Sequence, residues 1–136
     1  FLQAEGFWGL YNHLLRSGDS GGVGDVYLFE QGVQPAWEHE AHQGGGRFEV
    51  RGGRRGAAFG VLWETLVLRF VGGTFPGGES GIGGNPVTGL EFRRRYHQDS
   101  MVVWVRGGQS SAQLEALRDE LCDALCIPLS ETVSFR

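Results

Sequence analysis

The segment Arg47-Phe48-Glu49-Val50-Arg51 alternates charged and apolar side chains without a break. An extended strand puts every second residue on one face, so this run specifies a strand with one face in a core and the other in water. Glycines bound it on both sides. Two further runs, Val87 to Tyr96 and Met101 to Arg106, are rich in branched and aromatic residues and are joined by His97-Gln98-Asp99-Ser100, the arrangement of a β-hairpin. On the first run Glu91, Arg93 and Arg95 share a face; on the second Val102, Trp104 and Arg106 do. One face of the pair is therefore expected to be basic. Val26 to Glu30 reads as another strand, and Thr132 to Phe135 as a short last one.

Between the strands the period changes. Phe7, Leu10, Tyr11, Leu14 and Leu15 keep the spacing of one helical face. From Phe59 to Val71 the chain is apolar almost all round, and Phe59, Leu62, Leu66 and Phe70 keep helical spacing, so a helix is expected, with a strand as the alternative. Ser110 and Gln113 form a capping box ahead of Leu114, Leu117, Leu121, Ala124 and Leu125, a helix that runs to about Cys126 and that Pro128 ends. The order helix, strand, strand, helix, hairpin, helix, strand lacks the regular alternation of a parallel doubly wound sheet. It fits an α+β domain in which helices cover one face of an antiparallel sheet. The 136 residues suit a single domain with a real core. The 24 glycines exceed twice the usual share of about 7% and follow no three-residue period, which places them in connections and excludes a collagen-like chain.

Several classes of function lose support from composition. No run of about 18 apolar residues exists to span a membrane. No secretory signal precedes the first amphipathic pattern, and a start at Phe1 suggests a chain cut short of its native N-terminus. Cys122 and Cys126, four apart on one helical face, read as small buried residues in a reducing compartment, because helix geometry disfavours a disulfide and two thiolates make a poor zinc site. All 12 basic residues are arginine. Without lysine there is no phosphate-binding P-loop, and Gly81-Ile82-Gly83-Gly84 leads into Asn85-Pro86, which breaks the dinucleotide-binding pattern. His39 and His42 stand three apart, against the four of the zinc-protease helix, so no metal or other cofactor is expected. Glu38 and Glu40, as loop neighbours, define no separation across a glycosidic bond. His13 and His97 stand singly and read as surface or turn residues. No set of nucleophile, base and orienting group marks an enzyme.

Read alone, Trp104 on its strand and Trp63 in its apolar helix are core residues, whereas Trp37 is either a ligand contact or a packed loop anchor. It follows Pro35 in a loop and precedes Glu38-His39-Glu40. An indole face attracts a flat cation and a carboxylate only accepts hydrogen bonds, so the pair suits a positively charged purine that presents adjacent N–H groups. Guanine has that edge. Arg93, Arg95 or Arg106 would then hold phosphates of such a nucleotide with forked, charge-assisted bonds. A net charge of -4 fits a short ligand better than a long nucleic acid.

These residues resemble the eukaryotic translation initiation factor 4E family of messenger-RNA cap-binding proteins. Phe7-Trp8-Gly9-Leu10-Tyr11-Asn12-His13 carries the likeness at the first helix. Tyr27-Leu28-Phe29, Gly32-Val33, Pro35-Ala36-Trp37-Glu38, Glu40, Gly45-Gly46-Arg47-Phe48, Trp63-Glu64-Thr65-Leu66 and Val102-Val103-Trp104 continue it in order. The resemblance implies a curved antiparallel sheet with three helices packed on its convex face and a 7-methylguanosine cap held on the concave side. By the resemblance Trp37 stacks on the methylated base, Glu38 accepts its N–H groups, Trp104 lies against the methyl group, and Arg93 or Arg95 contacts phosphate. His97 and Ser100 stand where the family carries lysines. The second stacking tryptophan of the family would lie beyond the seven residues that precede Trp8, and the C-terminal phosphate loop beyond the end of the chain.

The resemblance also implies a convex surface for partners that carry a tyrosine, four further residues, a leucine and an apolar residue. Such a partner is a scaffold initiation factor 4G-like protein or a 4E-binding repressor. Trp8 matches the central tryptophan of that surface, with Ala4, Trp63, Glu64 and Val67 beside it. The expectation is thus a cytoplasmic, or also nuclear, binding module for capped messenger RNA. The alternative is a protein-interaction paralogue in which cap binding is weak or lost.

Overall fold

The structure, a computed structural model, describes residues 4–11, 24–36, 38, 40–53, 57–73, 75, 86–95, 99–125 and 133–135. Along the chain run α1 (Ala4–Tyr11), β1 (Gly24–Phe29), a 3-10 turn over Glu40–His42, β2 (Gly46–Gly53), α2 (Ala57–Gly72), β3 (Val87–Arg94), β4 (Asp99–Val105), α3 (Ser111–Leu125) and β5 (Val133–Phe135). The strands form one antiparallel sheet in the order β1-β3-β4-β2-β5. It is an α+β fold, a curved sheet with three helices on its convex side.

The hairpin forms, but β4 starts earlier than the residue pattern suggests. Arg93 pairs with Ser100 and Phe92 with Met101, so Asp99 and Ser100 belong to the strand and not to the connection. At the other end the register slips between Val87 and Gly89, leaving Thr88 as the extra residue of a bulge. Phe59 to Val71 is helix, which removes the strand alternative. Gly73, at φ 66°, closes α2 by giving its N–H to the Phe70 carbonyl at 3.2 Å. The capping box of α3 is reciprocal: Gln113 N–H donates to Ser110 Oγ at 3.2 Å and Ser110 N–H to Gln113 Oε1 at 3.0 Å. Leu14, Leu15, Cys126 and Pro128 lie outside the described residues.

Strand alternation sorts the sheet into two faces. Phe48, Val50, Leu90, Phe92, Met101, Val103 and Val105 point to the helices and are all buried. Against them pack Phe7 of α1, Trp63, Leu66 and Val67 of α2, and Leu117, Leu121 and Cys122 of α3. Burial pushes the Cys122 thiol up from its ordinary range, as expected for an apolar packing residue. An Arg69–Glu120 ion pair ties α2 to α3. The opposite face carries Asp25, Tyr27 and Phe29 of β1, Gly89, Glu91 and Arg93 of β3, Ser100, Val102 and Trp104 of β4, and Arg47, Glu49 and Arg51 of β2.

Two glycines hold the 3-10 turn against the end of β4. Gly107 N–H donates to the Ala41 carbonyl at 3.0 Å and Gly45 N–H to the His42 carbonyl at 3.0 Å. A Cβ on Gly107 would run into the Gln43 carbonyl oxygen, and one on Gly45 into the Val105 carbonyl oxygen. Both obstacles are backbone. Gly107→Ala should therefore lower the unfolding free energy by about 1–3 kcal/mol, read from the urea midpoint, with an unchanged midpoint counting against this packing.

Candidate functional site

Alternation along β4 sends Trp104 away from the helices, yet the residue is 2% exposed. What buries it is the polar face itself. The His42 ring lies over it, with centroids 4.6 Å apart and planes at 34°. Phe29 approaches at 6.2 Å, and the Arg47 guanidinium carbon sits 5.6 Å from the ring centroid as a cation–π contact. Phe29 can reach because Gly89 stands opposite it on β3, where a Cβ would collide with its ring. The indole N–H donates to Glu91 Oε1 at 2.6 Å.

Glu91 is 2% exposed and uses both of its oxygens. Its Oε2 accepts from Nε of Arg93 at 2.9 Å. Residues of types that could recognise a base and a phosphate are thus joined by one carboxylate. The sequence pattern places Glu91 on this face without marking it, because a strand glutamate reads as a solvated charge. Its burial follows from the indole of the neighbouring strand, which sequence spacing alone does not pair with it.

His42 is the other residue that sequence reasoning missed. It is 2% exposed and bridges two segments. Nδ1 donates to the Ala36 carbonyl at 2.8 Å, since a carbonyl only accepts, while Nε2 lies 2.8 Å from the Thr88 hydroxyl in the β3 bulge. Ala36 immediately precedes Trp37 and Glu38 in the chain. His42 therefore ties the entry to that dipeptide to the sheet face that holds Trp104. Glu38 itself is exposed on the turn. Trp37, His39 and His97 lie outside the described residues, as does His13.

The expectation of a basic face needs correction. Four arginines on this side are matched by carboxylates, Arg93 by Glu91 at 2.9 Å, Arg95 by Asp25 at 2.5 Å, Arg51 by Glu49 at 3.3 Å, and Arg106 by Glu30, while Arg47 lies over the Trp104 ring. Same-face spacing of two along a strand produces the Glu91–Arg93 and Glu49–Arg51 pairs, and strand pairing sets Asp25 of β1 opposite Arg93 and within reach of Arg95 just beyond β3. Arg95 is exposed and drawn toward β1, unlike Arg93, which is half-buried beside Trp104's partner. The Arg95 guanidinium holds the Asp25 carboxyl below its ordinary range. The pair's stabilisation is accordingly present above the unfolded value of about 3.9 and fades as pH falls through the lower folded value. An NMR titration should find the Asp25 midpoint higher in Arg95→Gln; an unmoved midpoint would show that Arg95 is not the cause.

On the helical side the expected partner residues separate. Trp8 is 39% exposed and meets Phe7 edge-on, with centroids 5.0 Å apart. Glu64 is half-buried. Trp63 and Val67 are 3% and 2% exposed and belong to the core, with Trp63 edge-on to Phe92 at 5.4 Å. Ala4 opens α1. Among the described side chains of α2, Val61 and Leu68 are exposed apolar residues, which the all-round apolar pattern did not distinguish. Trp63→Ala should cost about 3–5 kcal/mol of stability and Trp8→Ala far less, by thermal and urea unfolding; similar losses would contradict the different burial of the two indoles.

Among the described residues no group of three or more His, Cys, Asp or Glu could hold a metal ion, and no helix is long and apolar enough to cross a membrane.

Comparison with known proteins returns one family. A family model described as eukaryotic initiation factor 4E matches residues 1–136. Eukaryotic translation initiation factor NCBP of Triticum aestivum is 30% identical over 136 residues, covering 100% of this chain and 55% of that protein. Eukaryotic translation initiation factor 4E-1 of Schizosaccharomyces pombe is 28% identical over 137 residues, covering 99% of this chain and 60% of that protein. The chain thus spans little more than half the length of these curated relatives. Among solved structures, Ascaris suum eIF4E-3 in complex with an m7G cap superposes with a TM-score of 0.85 at 27% identity, covering 100% of this chain and 74% of the other. Caenorhabditis elegans eIF4E-3 in complex with the 4E-binding protein Mextli gives a TM-score of 0.84 at 28% identity, covering 98% and 74%.

Proposed function

This chain belongs to the eukaryotic initiation factor 4E family, and we propose that it binds the 7-methylguanosine cap of messenger RNA through the polar face of its sheet. The observation that carries the reading is the joining of Trp104 and Arg93 through Glu91 on the face that His42 ties to Ala36, the residue before Trp37 and Glu38 in the chain. Trp37 stacks on the cationic base, whose charge strengthens the contact over that of unmethylated guanine. Glu38, with acceptors only, takes the N–H groups of the base edge. Trp104 backs the methyl side. Arg93 supplies the forked contact to phosphate, with Arg95 further along the strand end. No bond is broken, so the module works by binding alone. Similarity to the solved cap complex supports this reading.

The helical face recruits a scaffold or repressor, with Trp8 as the exposed aromatic anchor and Glu64 as the polar residue that the family resemblance assigns to the same surface. Similarity to the solved complex with a 4E-binding protein supports that half. Burial of Trp63 and Val67 limits their part to shaping the surface from beneath.

A second reading has its own observation. Trp104 is 2% exposed and offers a methyl group little surface, while Arg93 and Arg95 are already paired, which favours a protein-interaction paralogue with weak or lost cap binding. One titration divides the two. Tryptophan fluorescence of the full chain should be quenched by 7-methyl-GTP and much less by GTP, and Trp37→Ala should weaken binding about tenfold. Equal responses to the two nucleotides overturn cap recognition. No response to 7-methyl-GTP, alongside binding of a tyrosine- and leucine-bearing partner peptide that Trp8→Ala abolishes, establishes the second reading.

A further inference from the structure

We propose that Glu91 is a positioning residue that sets the Trp104 indole and the Arg93 guanidinium together, so that recognition of the base and of the phosphate depend on one carboxylate. The inference rests on the cap-binding reading. A carboxylate that is 2% exposed needs partners that replace its lost water, and Glu91 has one for each oxygen. Oε1 takes the indole N–H of Trp104 at 2.6 Å, and Oε2 takes Nε of Arg93 at 2.9 Å.

Each bond fixes something that recognition needs. A buried indole N–H must find an acceptor, and the direction of that acceptor sets how the ring plane sits in its site. His42 lies over the ring and Phe29 beside it, so a turned indole would disturb both contacts. A guanidinium held through Nε keeps its two terminal nitrogens for a second, forked acceptor. The Arg93 side chain is 27% exposed, so that outer edge reaches solvent, where a phosphate would arrive. Register holds the three residues in place: Glu91 and Arg93 follow one another on the polar face of β3, and Trp104 stands opposite Gly89 on β4. Glu91 itself is flanked in sequence by the core residues Leu90 and Phe92, which leave its backbone little room to move.

Glutamine is the informative replacement. It has nearly the same shape, but one of its two ends donates, so it can accept from the indole or from the guanidinium and must face the other with a donor. The experiment uses the full chain and three proteins: wild type, Glu91→Gln and Glu91→Leu, each with its thermal unfolding recorded. Binding of 7-methyl-GTP and of the nucleoside 7-methylguanosine is measured by fluorescence titration. The expected result for Glu91→Gln is a loss of about tenfold for 7-methyl-GTP, a smaller loss for the nucleoside, and a reduced ratio between the two affinities. A raised ratio would mean that Glu91 merely repels phosphate, and unchanged affinities would mean that it positions nothing; either overturns the proposal. In the free protein the Trp104 indole N–H resonance, assigned by its loss in Trp104→Phe, should move and exchange faster in Glu91→Gln and Glu91→Leu. An unmoved resonance overturns the proposal whatever the binding result. Failure of the wild type to bind either ligand overturns the cap reading and the cap role of Glu91 with it, while the resonance still reports whether Glu91 holds the indole.

Discussion

The two-residue period of β3 and β4 is the constraint on which the rest of the molecule depends. These are the central strands of the core and of the polar face, and consecutive side chains on them belong to different environments. Leu90 and Phe92 fill the space under α2 and α3, while Glu91 and Arg93 between them face the other way. The same holds for Met101 and Val103 against Val102 and Trp104. Packing the helices onto one side therefore sets the direction of Glu91, Arg93 and Trp104 on the other, within the stiffness of an antiparallel ladder.

The second requirement is satisfaction of polar groups that the fold buries on its open face. Glu91, His42 and Thr88 are each almost fully buried outside the apolar core. Each finds partners among the others or their neighbours: the indole and guanidinium for Glu91, the Ala36 carbonyl and the Thr88 hydroxyl for His42. Buried polar groups connected in this way restrict the arrangement to few alternatives, because any change leaves a donor or acceptor without a partner. The sheet face is thus organised as firmly as the core, by direction-dependent bonds in place of close packing.

Much of this was legible in the residues. Alternation in Arg47 to Arg51, helical spacing from Phe59 to Phe70 and the Ser110–Gln113 box gave elements that the structure contains, because each rests on local geometry. The faces of β3 and β4 were also legible, and with them the neighbourhood of Arg93 and Trp104. What escaped was partnership across strands. Two of the ion pairs on the expected basic face reach across strands, with Asp25 arriving from β1 and Glu30 from the residue after it, far away in sequence. His42, read only for its spacing from His39, has its role from Ala36 and Thr88, 6 and 46 residues away. Trp63 was drawn two ways, to the core by its apolar helix and to the partner surface by the family resemblance, and its packing against Phe92 puts it in the core.

The bulge at Thr88 bears on how such a sheet tolerates insertions. A single residue added within Leu90 to Arg93 would exchange core and polar-face side chains along the strand, so neither face could survive it. At Thr88 the register already slips by one residue, outside that stretch, and the extra side chain is held by the His42 ring. An odd residue has a place there because an imidazole holds its hydroxyl.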